Sequence, residues 1–236
     1  MLNTCYNHFM TYQESTTQDI IERRGYRKNI KGDKFSLYIS NYPSNAEYLK
    51  SRIGNPNLVL AELCCSIGIT LEYLAPSFKK VIGVDIDQNI LQMCEFNLTE
   101  AGLISKFQLI NGDVFDDNTL KSIKADIIIY DIPFWYPHKQ ENQGNLVSKN
   151  PPLKELIKKI RKNITSNIII FSPPEWNYEY FEKQLGSIEY EQVFINQTHN
   201  RNQIYLGDLI NEKGKTEIAL NNSQKKSLSN LLNDDV

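Results

Sequence analysis

From residue 58 onward, short apolar runs alternate with amphipathic ones. Leu58–Leu63, Lys80–Asp85, Phe107–Ile110, Ala125–Tyr130 and Asn167–Phe171 are short and almost continuously apolar, the pattern of strands buried on both faces. Between them lie segments of helical period. Gln88–Gly102 places Leu91, Cys94 and Leu98 on one face, with Gly102 as its stop. Pro152–Asn163 is opened by proline. Leu71–Pro76, Asn118–Lys124 and Trp176–Leu185 complete the set. Glu189–Asn196 and Gln203–Leu206 predict a closing antiparallel pair. Upstream, the pattern predicts helices over 13–24 and 44–53, the second capped by Ser44. The expected fold is α/β: a seven-stranded, mostly parallel sheet with helices on both faces and an antiparallel last strand pair. Its divisions are a helical extension at 1–43, the α/β domain at 44–211, and a polar, loosely ordered tail at 212–236.

Composition removes several classes of protein. The 236 residues are 41% hydrophobic and 23% charged, which is ordinary for a globular chain. No run approaches the roughly 20 apolar residues of a membrane span. Residues 1–12 lack the form of a signal peptide. The spacing of Cys5, Cys64, Cys65 and Cys94 matches no zinc pattern, and His8, His138 and His199 show no ligand spacing. A reduced, intracellular protein without metal is expected, in cytoplasm or nucleus. Net charge is −2, so the chain as a whole is no polycation. Basic residues nevertheless cluster over 22–34 (Arg23, Arg24, Arg27, Lys28, Lys31, Lys34) and 154–162 (Lys154, Lys158, Lys159, Arg161, Lys162). Such clusters can take phosphates.

Ligands of open α/β sheets sit beyond the carboxyl ends of the strands, and four strand ends here carry suitable residues. The first is Glu62 followed by a loop of small residues. Gly68 allows close backbone approach, Thr70 can cap the next helix, and Cys64 and Ser66 stand where glycine is common. The second is Asp85, Ile86 and Asp87. Asp85 can take both ribose hydroxyls of a nucleoside cofactor in a bidentate hydrogen bond, and Asp87 can cap the following helix. The spacing from Glu62 also suits a nicotinamide dinucleotide, although that cofactor needs more loop glycines. The third is Asp113 with Val114, where an acid suits the exocyclic amine of adenine. The fourth is Asp131, Ile132, Pro133, Phe134 and Trp135.

This last segment resembles the acid/amide-Pro-Pro-aromatic loop of amino-methyltransferases. Asp131 can accept an N–H of an exocyclic amine. Pro133 stiffens the loop, and Phe134, or Trp135 in reserve, can stack on the base. Ser172 to Trp176 echoes the loop after the fifth strand. Trp176 can line the substrate cleft, with core packing as its other role.

Over residues 35–210 the sequence resembles the trimethylguanosine synthase family of RNA cap guanine-N2 methyltransferases. The resemblance rests on Glu62–Gly68, Val81–Asp87, Phe107–Asp113, Asp131–Phe134, Asn163–Phe171, Glu191–Gln197 and Tyr205–Ile210. It implies a Rossmann-like class I methyltransferase with S-adenosylmethionine held by Glu62, Cys64, Ser66, Gly68, Thr70, Asp85, Ile86, Asp113, Val114 and Asp131. It also implies methyl transfer to guanine N2 of a 7-methylguanosine cap or structured RNA, with Asp131, Pro133 and Phe134 catalytic and Phe134, Trp135 and Trp176 on the substrate. RNA would be held by the basic segment 23–34 and the strand-end loops. The sequence departs from the family in having Asp131 for Ser, Phe134 for Trp, and Tyr136, Pro137 and His138 for Gly-Gly-Pro. Adenine-N6 methylation of RNA or DNA and a non-catalytic scaffold therefore stay open.

Overall fold

The computed structural model describes residues 14–131 and 153–222. Helices α1 (Thr17–Arg24), α2 (Lys34–Ile39) and α3 (Pro43–Ile53) precede the sheet. The alternating part runs β1 (Val59–Leu63), α4 (Ile69–Leu74), β2 (Lys80–Asp85), α5 (Gln88–Glu100), β3 (Phe107–Asn111), α6 (Asp117–Ser122) and β4 (Ile127–Asp131). It continues with α7 (Leu153–Asn163), β5 (Ile168–Ser172), α8 (Tyr178–Leu185), β6 (Glu189–Ile195), β7 (Thr198–Leu206) and β8 (Gly214–Leu220).

The sheet order is β3-β2-β1-β4-β5-β7-β6-β8. β7 runs antiparallel to β5 and β6, while the other pairs are parallel. The Rossmann-like α/β class read from the sequence is correct, with one strand more than expected. That strand, β8, pairs in parallel with β6 at the sheet edge and occupies part of the stretch expected to be a polar tail. Its side chains alternate between half-buried and exposed, so it lacks an apolar run to announce it.

Alternate side chains of each central strand feed opposite layers. Leu63, Val84, Ile128, Tyr130, Ile168 and Ile170 pack with Leu156, Ile160 and Phe181 on one face. Leu60, Val81, Ile127, Ile129, Ile169 and Phe171 pack with Leu49, Leu71, Leu91 and Leu98 on the other. Burial on both faces is why β4 and β5 read as unbroken isoleucine. A third cluster joins Ile20, Ile21, Tyr26, Leu37 and Tyr38 of the N-terminal helices to Ile67 and Ile69. The N-terminal helices therefore clamp the loop between β1 and α4.

Of two helix caps read from the sequence, one differs in the structure. Helix α3 begins with Pro43 and has no side-chain cap, and the Ser44 hydroxyl is buried with no hydrogen-bond partner among the described residues. Asp87 caps α5 as expected, accepting from the Asn89 N–H at 2.8 Å.

Candidate active site

The strand order reverses between β1 and β4, which are adjacent and parallel. At such a reversal the connections leave to opposite faces and a crevice opens beyond the strand ends. Glu62, Cys64 and Asp131 stand there, with Asp85 one strand away.

The β1–α4 loop follows a backbone path natural to glycine. Cys64 and Ser66 have φ of 61° and 49°, and Gly68 has 82°. A side chain in this left-handed region costs roughly 1–2 kcal/mol, which explains why related loops place glycine here. A Cβ at Gly68 would also lie 2.5 Å from Cys94 Sγ. The glycine is thus required by its φ and by α5 behind it, a stronger reason than cofactor approach. Gly68 itself is the cap residue of α4, and Thr70 lies buried inside the helix. Its hydroxyl accepts from Asn41 Nδ2 at 3.4 Å, so its expected capping role is not the one it has.

Asp85 shapes this loop. One carboxylate oxygen accepts the Ser66 N–H at 3.0 Å and the other the Asp87 N–H at 3.1 Å. Burial pushes its carboxyl above the usual range, and these two N–H groups act against that rise. Ile86 beside it is 62% exposed, an apolar face at a ligand-bearing strand end. Asp113 accepts the Phe115 N–H at 2.9 Å, which makes it a turn aspartate in the described chain. Val114 is buried in the core.

Deeper in the crevice lies a compact charged group. Glu62 is 2% exposed, and its Oε2 has no hydrogen-bond partner among the described residues. Burial and the nearby Asp131 carboxylate hold its carboxyl well above the usual range. Burial likewise pushes Asp131 up to about 6, against the pull of Arg201. Arg201, on β7, is 8% exposed. Its Nη1 lies 3.9 Å from Asp131 Oδ2, and its guanidinium sits over the Phe171 ring at 5.0 Å. Nothing in the sequence marked Arg201, which is set in a polar run with no motif. The apolar run that predicts this strand begins at Gln203, whereas the strand itself begins at Thr198 and so includes Arg201.

The remaining candidates fall in two groups. Ile132, Pro133, Phe134 and Trp135 lie outside the described residues. Trp176 packs against the face of the sheet opposite Asp131, with Tyr180 and Phe181 at ring distances of 5.3 and 5.8 Å. Its carbonyl accepts from Tyr190 Oη and Asn202 Nδ2. Core packing is the role seen.

Two basic residues of the segment 23–34 are used inside the fold, while Arg23, Lys28 and Lys31 are exposed. Arg24 is 6% exposed and donates to the carbonyls of Ser40 and Tyr38. Arg27 pairs with Glu72 at 2.9 Å and donates to the Asn97 carbonyl. Among the described residues no His/Cys/Asp/Glu group could hold a metal, no helix is long and apolar enough to cross a membrane, and the described cysteines are free thiols.

The crevice fits a nucleoside bearing an amino-acid arm. Asp85 offers a carboxylate for hydroxyls, Ile86 an apolar face for a base, and Glu62 an unpartnered buried oxygen for a cationic group. Fold and crevice are those of the Rossmann-like class of S-adenosylmethionine-dependent methyltransferases. The profile of the RNA cap guanine-N2 methyltransferase family matches residues 57–211, and the chain belongs to that family. A stretch of 117 residues is 26% identical to the rRNA N(6)-adenosine-methyltransferase metl-5 of Caenorhabditis elegans, covering 48% of this chain and 55% of that protein. The chain thus spans about half the length of this relative. Solved structures of similar fold include a putative methyltransferase from Porphyromonas gingivalis, with TM-score 0.59, 16% identity, and coverage of 76% of this chain and 43% of that one. Another is the magnesium protoporphyrin IX methyltransferase of Synechocystis with bound SAM, with TM-score 0.51, 15% identity, and coverage of 83% and 92%. At these identities the likeness is one of fold.

Proposed function

We propose that the protein methylates the exocyclic N2 amine of guanine in RNA, a 7-methylguanosine cap or a structured RNA. The observation that carries this reading is the partly buried Asp131 carboxylate at the switch point, in a chain of the cap guanine-N2 family. An exocyclic amine is a poor nucleophile because its lone pair is delocalised into the ring. Asp131 accepts one of its N–H bonds, which returns electron density to nitrogen and aims the lone pair. When bound, S-adenosylmethionine supplies an activated methyl: the amine forms the N–C bond, the C–S pair stays on sulfur as a neutral thioether, and nitrogen loses one proton. Asp131, with a carboxyl near 6, is matched to receive that proton and pass it to water. Asp85 takes the ribose hydroxyls and Ile86 covers the adenine. Glu62 faces the amino-acid end, Phe134 stacks on the guanine, and Trp135 flanks it.

Beside the exposed residues of the 23–34 segment, the RNA backbone passes along α7. Lys154, Lys158 and Arg161 stand at helical spacing on one exposed stripe and, with Lys183 of α8, line a groove of about 340 Å³.

Asp131→Ala tests the reading. Transfer of labelled methyl to RNA is expected to fall at least about a hundredfold, with S-adenosylmethionine affinity by calorimetry within about threefold of wild type. Transfer at the wild-type rate sinks it. A second reading, adenine N6 of RNA, is favoured by the metl-5 relative and by an aspartate in place of the family's serine. The methylated nucleoside tells the two apart.

A further inference from the structure

Three arginines lie against this face of the sheet, and two are closed. Arg52 is stacked 3.8 Å over Tyr205 and bonded to Glu189 at 2.7 Å. Arg24 lies 4.2 Å over Tyr42 with its donors on the Ser40 and Tyr38 carbonyls. Each has the form of an internal strut. Arg201 is as deeply buried and is stacked the same way on Phe171, yet it is open. The 3.9 Å to Asp131 exceeds hydrogen-bond length, and Nη1 has no hydrogen-bond partner among the described residues. Its Nε donates only to its neighbour Asn200, at 3.3 Å. A buried guanidinium leaves a donor unspent at considerable cost unless a ligand or the site uses the charge.

Several groups bear on Asp131. Glu62 approaches from β1, Cys64 from the β1–α4 loop, and Tyr130 from its own strand. Arg201 approaches from β7, with Arg24 and Tyr26 behind it. Of these groups Arg201 favours a charged Asp131, and its guanidinium faces it at 3.9 Å. An oxygen of Asp131 that stays ionised can accept the amine N–H; a protonated oxygen cannot.

We propose that Arg201 is a positioning residue: it keeps the Asp131 carboxylate ionised and turned toward the incoming amine without closing on it. This inference rests on Asp131 being the amine acceptor. The long ion pair then has a reason. A tight pair would occupy the acceptor that the substrate needs, while one at 3.9 Å supplies the field and leaves the lone pairs open. Stacking on Phe171 holds the guanidinium at that distance.

The test uses the full chain with Arg201→Gln and Arg201→Lys. Single-turnover methyl transfer to RNA is followed from pH 5.5 to 9, and the Asp131 carboxyl is titrated by carbon-13 NMR, its signal assigned through Asp131→Asn. In Arg201→Gln the acid limb is expected to move up by about one unit or more. The rate near pH 5.5 then drops roughly eightfold and recovers to within about twofold of wild type at pH 9. Arg201→Lys keeps a charge on a shorter stem and falls between. It carries the test alone if Arg201→Gln does not fold, its limb and its Asp131 midpoint both rising by part of a unit. A rate loss by one factor at every pH, or an Asp131 titration that does not move, overturns the proposal. Absence of methyl transfer by wild-type protein to any nucleic acid overturns the functional reading instead, and the NMR titration still decides whether Arg201 governs Asp131.

Discussion

At the scale of single residues, the loop after β1 shows how sequence and backbone trade off. Cys64 and Ser66 hold left-handed conformations that glycine adopts at no steric cost. Ser66 also donates its N–H to Asp85, so the strained path is tied to the acid proposed to face the ribose. Ser66→Gly removes the Cβ and keeps the N–H. Relief of strain is expected to outweigh the entropy glycine adds to the unfolded chain, for a net gain of up to about 1 kcal/mol. Chemical denaturation would read this as a higher midpoint at unchanged slope; a lower midpoint contradicts it. Asp85, Asp87 and Asp131 could be read from the sequence because each ends an apolar run, and strand ends face the crevice. Arg201 could not. It reaches Asp131 across β5 from a strand that joins the sheet out of chain order, and no local pattern encodes that reach.

At the scale of elements, α7 separates fold from function along its own circumference. Leu153, Leu156, Ile157 and Ile160 are buried in the core, and the remaining turns carry charge. Lys159 is tied to Asp117 at 2.7 Å. Lys158 also meets Glu155 at 3.0 Å, a pair more than half exposed on both sides and therefore worth little. Lys154, Lys158 and Arg161 follow one another at a rise of roughly 5–6 Å, which lets each take a separate phosphate. Reversing these three to Glu is expected to weaken RNA binding at least about tenfold at low salt. The slope of log affinity against log salt should become shallower by about 2, since each single-strand phosphate contact contributes roughly 0.7. Filter binding at several salt concentrations measures both, and an unchanged slope removes α7 from the interface. The 22–34 cluster looked equivalent in the sequence. Charge counts do not distinguish Arg24 and Arg27, which fasten the N-terminal helices, from lysines on an open face. Strand β8 escaped notice for a related reason: an edge strand half-buried at best carries Lys215 and Glu217, and its composition resembles a tail.

At the scale of the whole molecule, the alternation of apolar runs encoded the parallel sheet, and the acids at their ends marked the crevice. The departures from glycine at Cys64 and Ser66 turn out to preserve the loop path. The N-terminal helices do more than extend the domain: they pack on Ile67 and Ile69 and so hold the β1–α4 loop. A buried chain of polar side chains runs from Thr70 through Asn41 and Asn45 to Gln203 and Tyr205, linking that loop to β7, the strand that carries Arg201. The β1–α4 loop and β7 are thereby parts of one connected layer. The function proposed for the site turns on the atom that receives the methyl. The direct measurement is to incubate the protein with labelled S-adenosylmethionine and capped RNA, uncapped RNA and DNA in parallel, digest the products to nucleosides, and identify the labelled one by mass spectrometry. Label in N2-methylated guanosine from RNA, absent with Asp131→Ala, is the expected result. Label in N6-methylated adenosine, or in no nucleoside at all, contradicts it.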